Sequence, residues 1–270
     1  MQWSKLKNIV LLILLLTNLC LLAFVLRQEA QSRAGERQTL SSTLAFLARK
    51  GVHVQANQLP DPKSLAPLTA QRDLESEYAA AAALLRGEVQ MQDRGGEVYR
   101  CVNANGSVQF HSDGSFSAEL NPGVLPVGGD PEGAILLALR DMGYDAALLC
   151  STEDTMVFQQ RWKGAPLFNQ QVTARYGPSG VSALSSGRRL VGQPEPDFSR
   201  STLDTSTALI DFFNGLAELG RVCSQVDSIQ AGYTGTVSLL GPMQLTPVWQ
   251  VTTDTGVYQL DLVTGEVRIG

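Results

Sequence analysis

Two histidines, His53 and His111, are the whole imidazole complement of the 270-residue chain, and each stands alone. A metal site needs several ligands converging at short spacing, and neither histidine has such neighbours in sequence. Glu195 and Asp197 lie in a proline-rich stretch, and Glu75 and Glu77 open a helical run, where solvation and the helix dipole account for them. Such scattered carboxylates do not define the acid and base of a glycosidase. No His-Glu-x-x-His, Gly-x-Ser-x-Gly or phosphate-loop pattern occurs. The residues therefore point to no enzyme, no metal and no cofactor.

Cysteine chemistry is equally sparse. Cys20 lies in an apolar stretch, which leaves Cys101, Cys150 and Cys223, an odd number allowing at most one internal disulfide. Their spacings match no metal motif, and buried reduced thiols are the simplest reading.

The polar groups that could do something unusual are Thr17 and Asn18. They are the only strongly polar side chains in the uncharged stretch 9–26. As a helix this stretch would cover about 27 Å, close to a bilayer's hydrocarbon core. Leu11, Leu14, Asn18, Leu22 and Val25 share one helical face. A hydrogen bond between helices from an amide at that depth contributes about 0.6–2 kcal/mol. This face is the candidate partner-binding site; the alternative is that Asn18 bonds its own backbone.

The stretch is too long for a cleaved signal peptide, and residues 26–29 make a poor cleavage site. Thr17, Asn18 and Leu19 are not the small residues wanted before a lipidated Cys20. A retained anchor is expected, with residues 1–8 cytoplasmic and the large remainder outside the cell membrane, although basic residues flank both ends. Trp3 suits the membrane–water interface. Two of the 21 basic and none of the 26 acidic side chains lie in residues 1–26, so the remainder has a net charge of −7. That argues against a nucleic-acid partner, which favours a basic patch.

Beyond a spacer at 27–38, helices are expected at 39–50, 73–86, 130–142 and 206–219 from apolar periodicity, aspartate caps and glycine stops. Strands are expected at 88–92, 97–103, 107–111 and 115–120, then at 145–151, 156–162, 167–176 and 181–190, and finally at 222–232, 247–253, 256–262 and 266–269. Pairs such as Asn105-Gly106 and Asp113-Gly114 mark hairpin corners. The fold class is α+β: one N-terminal transmembrane helix, then two extracytoplasmic domains of antiparallel sheets and packed helices. The Pro- and Gly-rich run 121–131 divides them into 39–124 and 130–270. Residues 192–200 read as a linker. The helix–Gly–strand passages at 46–52 and 137–144 echo each other, as two related units would. Trp249, Phe158, Trp162 and Phe168 read as sheet packing.

Residues 1–9 (Met-Gln-Trp-Ser-Lys-Leu-Lys-Asn-Ile) resemble the opening of the YycI family, with a Trp and a basic residue before a single membrane helix. Residues 159–169 resemble that family's central strand–turn–strand, and 232–233, 246–251 and 258–267 its closing segment. No family motif is evident in 52–125. The resemblance implies a membrane-anchored accessory regulator of a WalK-type (YycG) sensor histidine kinase of Gram-positive bacteria, working with a YycH-like partner. The C-terminal Pro-x-Trp-x-Val and Tyr-x-Leu-Asp-x-x-Thr-Gly-Glu-Val are also similar to PepSY-type modules, which implies instead an extracytoplasmic peptidase inhibitor or envelope-sensing module.

Overall fold

The computed structural model describes the backbone of residues 2–237 and 241–270, and all side chains of these except residues 2–6, 8–13, 26, 28–34, 63 and 186. A helix α1 (Gln2–Arg49) carries the first three expected segments without a break, so the apolar stretch, the spacer and the 39–50 helix are one rod. At 1.5 Å per residue it is about 70 Å long.

Three further helices follow, α2 (Leu74–Leu84), α3 (Pro131–Asp141) and α4 (Thr205–Glu218). Each starts on an aspartate whose side chain accepts backbone N–H groups of the first turn: Asp73 from Glu75 and Ser76, Asp130 from Gly133, Asp204 from Ser206 and Thr207. Each then leads into four antiparallel strands. After α2 come β2 (Gln90–Asp93), β3 (Tyr99–Asn103), β4 (Gly106–Phe110) and β5 (Ser115–Leu120). After α3 come β6 (Ala146–Ser151), β7 (Thr155–Trp162), β8 (Ala165–Gly177) and β9 (Gly180–Arg188). After α4 come β11 (Val226–Val237), β12 (Met243–Thr253), β13 (Gly256–Asp261) and β14 (Val267–Ile269). Two short strands, β1 (Leu68–Ala70) and β10 (Pro194–Pro196), lie outside this pattern. The chain is thus a mixed α+β protein, dominated by antiparallel pairing, in three helix-plus-four-strand units rather than the two suggested by the echo.

The first two units join edge to edge. Their last strands pair antiparallel, Ser115 with Arg188 and Ala118 with Leu184, giving the order β2-β3-β4-β5-β9-β8-β7-β6. Neither unit then exposes that strand as a bare edge. One core cluster serves both, holding Leu84 and Leu85 with Phe110, Phe116, Ile135, Leu139, Tyr144 and Phe158. Leu125 of the 121–131 run is buried in it, and its carbonyl accepts the Val181 N–H at 2.9 Å. That run is therefore a connection inside one core: its proline and glycine content reflects irregular backbone, not a gap between domains.

The third unit gathers the chain's two ends. Leu47 of α1, Leu209, Phe212 and Leu216 of α4, and Trp249, Val251, Tyr258 and Leu260 of the sheet form a second core. One side of β12 pairs with β11 throughout; the other pairs first with β1 (Leu68 with Leu245) and then with β13 (Val248 with Asp261). Pro247 falls in the gap between those partners, where its missing N–H leaves no rung unmade. β10 pairs only with β1, so Pro194 and Pro196 sit on a sheet edge, and the expected linker contributes a strand.

β8 links the two sheets. Its Leu167 meets Tyr233 of β11 in parallel, and the Asn169 side chain continues the ladder, donating to Gly235 O at 2.6 Å and accepting Gly235 N–H at 2.8 Å. Gly192 marks a tight crossing, because a Cβ there would stand 1.9 Å from Gln71 O.

Leu47→Ala should lower stability by about 2–5 kcal/mol, and Gly192→Ala by about 1–3 kcal/mol through overpacking. Gly129→Ala, with nothing within 4 Å of its added methyl, should stay within about 0.5 kcal/mol. Urea midpoints of the three variants in detergent check the ranking.

Candidate functional site

The candidate face on α1 is only partly described. Leu11 lies outside the described side chains; Leu14, Asn18, Leu22 and Val25 are exposed. So are Leu15, Leu16, Leu19, Leu21 and Phe24, so apolar exposure runs round the whole helix and singles out no one face. Asn18 Nδ2 donates to Leu14 O at 3.0 Å, and Thr17 Oγ1 donates to the same carbonyl at 3.0 Å. The amide thus bonds its own backbone, and its Oδ1 meets no donor among the described residues. Among the described residues no helix is long and apolar enough to cross a membrane; within 9–26 the described side chains run from 14 to 25.

The other end of α1 is firmly placed. Thr43 is 8% and Leu47 4% exposed, with Leu40 and Leu44 packed beside them on the α4 core. Val52 N–H donates to Leu47 O, and beyond the turn His53 N–H donates to Ser224 O while Val226 N–H donates to His53 O. The rod that carries the candidate face is therefore one wall of the third unit.

A second site was not singled out in sequence. After β9 the chain continues as a strap, residues 189–191. Arg189 N–H donates to Gly114 O, Leu190 N–H to the buried Gln160 Oε1, and Asp73 N–H to Val191 O. The strap is thereby clamped between the β4–β5 corner, β7 and the start of α2. Its Arg189 side chain is 8% exposed, with the guanidinium 5.5 Å from the Phe110 ring centre. Nη1 is buried without a partner. Burial pulls the Arg189 pKa below its ordinary value, while the charges of Glu77 and Asp73 push it back up.

Glu77, 2% exposed, is already engaged. Arg72 Nε and Nη2 each reach one of its oxygens at 3.0 Å, and Arg72 Nη1 donates to Glu97 O at 2.7 Å. This bidentate pair uses the carboxylate that Arg189 would otherwise take. Beside the strap lies a cavity of about 420 Å³ walled by α2, the end of α3, the β7–β8 corner and Arg189. The one sequence signal for it is a charged residue set directly before the apolar pair Leu190-Val191.

His53 is exposed, and His111 is half-buried beside Gln109; no group of three potential metal ligands occurs among the described residues. The four cysteines are free, Cys20 and Cys150 exposed, Cys101 and Cys223 buried. Burial, with Glu77 nearby, pushes the Cys101 thiol up to about 11, and burial with Asp254 does the same for Cys223. Trp249 is fully buried in the third-unit core.

At pH 8 roughly one in a thousand of the Cys101 and Cys223 thiols would be ionised, so Cys150 should react with a thiol reagent while those two wait for unfolding. Mass mapping of the labelled chain reads this directly. Glu77→Ala should cost about 3–5 kcal/mol, because it removes the bidentate partner of Arg72 and leaves it, beside Arg189, only the exposed Glu97 carboxylate at 3.9 Å; a denaturant titration measures it.

No protein-family profile and no characterised protein sequence matches the chain. Among solved structures it is similar to an uncharacterized protein from Eubacterium rectale, with 15% identity and a TM-score of 0.41 over 76% of this chain and 80% of that one. It is also similar to the YpeB C-terminal domain of Bacillus megaterium, with 10% identity and a TM-score of 0.36 over 74% of this chain and 98% of that one. At these levels neither similarity assigns a family.

Proposed function

We propose that the chain is a non-enzymatic regulator anchored in the cell membrane by residues 9–26, with its N-terminus cytoplasmic and its three α+β units outside. In this reading it binds a WalK-type sensor histidine kinase, together with a YycH-like partner, and modulates it through α1. One observation carries the reading: α1 runs unbroken from the apolar stretch into the buried contacts of Thr43 and Leu47. A helix continuous between membrane and core has no hinge in which a displacement of the outer units could be lost. The face Leu11, Leu14, Asn18, Leu22 and Val25 is the proposed contact, with Asn18 exchanging its backbone bond for one across the helix pair.

The threefold helix-plus-four-strand pattern favours a second reading. PepSY-type modules are small α+β units, and a row of them would suit capture of an extracytoplasmic peptidase without any kinase.

Crosslinking the intact chain in native membranes and identifying what is recovered separates the two. The regulator reading predicts a WalK-type kinase or a YycH-like protein, recovered several-fold less with Asn18→Leu. Gly35→Pro, which breaks α1 at an exposed position between the apolar stretch and the seated turns at a cost of about 3 kcal/mol, should keep the partner but abolish the effect on kinase output. Recovery of a peptidase and no kinase would overturn the regulator reading.

A further inference from the structure

We propose that the cavity beside the 189–191 strap binds a small zwitterion, an amino acid or the end of a short peptide, whose carboxylate pairs with Arg189. The inference stands whatever partner α1 meets.

The reasoning begins from an unmatched charge. Among the described residues the Arg189 guanidinium makes no hydrogen bond and no ion pair, although nine-tenths of the residue is buried and Nη1 is sealed from solvent. An isolated buried cation is costly, and buried charges are ordinarily paired. Neither nearby carboxylate contacts it: both Glu77 oxygens are turned to Arg72 at 3.0 Å, and Asp73 Oδ1 caps α2. The face of Phe110 holds the guanidinium from one side, which fixes its plane but supplies no acceptor. With Nη1 sealed, the edge left to a ligand is Nε and Nη2, and that edge matches a carboxylate in two-point geometry.

The cavity chooses among anions. Its charged wall consists of Arg161, Lys163 and Arg189 against Asp73, Asp141 and Asp145, three of each sign. A dianionic phosphate would gain from the three cations but meet three acids with no cation of its own to offer them. A ligand with one carboxylate and one ammonium satisfies both signs at once. The volume, about 420 Å³, lies at the lower end of small-ligand sites, which run from roughly 300 to 1,000 Å³. The strap itself cannot easily adapt, since three backbone hydrogen bonds and the tight Gly192 crossing hold it. The site is therefore preformed.

Calorimetric titration of the full chain in detergent with alanine, the dipeptide Ala-Ala, N-acetylalanine and inorganic phosphate tests this. Alanine or Ala-Ala should bind, N-acetylalanine at least about tenfold more weakly for loss of its ammonium, and phosphate more weakly still. Tighter binding of alanine assigns a free amino acid, and tighter binding of Ala-Ala a peptide end. Arg189→Lys should weaken binding at least about tenfold by removing the fork. Ala79→Trp, on the exposed rim and clear of the buried pair, should abolish it by filling the mouth, and serves if the buried substitution fails to fold. Absence of heat with alanine and Ala-Ala at about 10 mM, phosphate binding more tightly than either, or undiminished binding in Ala79→Trp would overturn the proposal.

Discussion

The placement of α1 depends on how its last turns are seated against α4. Leu40, Thr43, Leu44 and Leu47 repeat at three- and four-residue intervals, so one stripe of the rod faces α4 and Trp249 while the other side chains of 35–49 stay exposed. Without that stripe the rod would be a polar and apolar extension with nothing to orient it. With it, the direction in which the apolar stretch leaves the protein is set by the same apolar burial that stabilises the third unit. Gly51 and the bridge at His53 then return the chain to the sheet immediately, which keeps the helix end from fraying.

The units are held together by a small number of shared strands. β8 has thirteen residues because it serves two sheets: β7 pairs with both its start and its later half, β9 with its later half, and β11 meets its start. The third core cluster fills this joint, with Leu68, Leu167, Leu190, Val191, Tyr233 and Leu245. Leu190 and Val191 belong to the strap that carries Arg189. The packing that joins the sheets thus also holds a buried guanidinium in place, and that coupling explains how an unpaired cation can be tolerated: moving it to solvent would withdraw two core residues.

Much of the local structure was legible in the sequence. Asp73, Asp130-Pro131 and Asp204 announce helix starts, and Asn105-Gly106, Asp113-Gly114 and Thr255-Gly256 announce corners, since these signals act within a few residues. Long-range pairing was not. β1 and β10 are three residues each and carry or adjoin prolines, so their partners, not their composition, make them strands. β12 begins before Pro247 because β1 supplies a partner from far away in the chain, 177 residues in the case of Leu68 with Leu245. The division into cores escaped for the same reason: the run 121–131 looks like a boundary locally, and only the β5–β9 pairing makes it internal. Arg189 was passed over because its lack of a partner becomes visible only once Arg72 is found to occupy Glu77.

The central claim of the proposed regulator is that α1 links its anchor to the folded core as one rigid element, and hydrogen exchange of the backbone amides in 39–49, on the intact chain in bilayers, tests it most directly. The account predicts protection close to that of the β11–β12 strands, lost only when the third unit unfolds. Exchange at the rate of an exposed loop, with the β11–β12 strands still protected, would contradict it and separate the anchor from the units it is meant to inform.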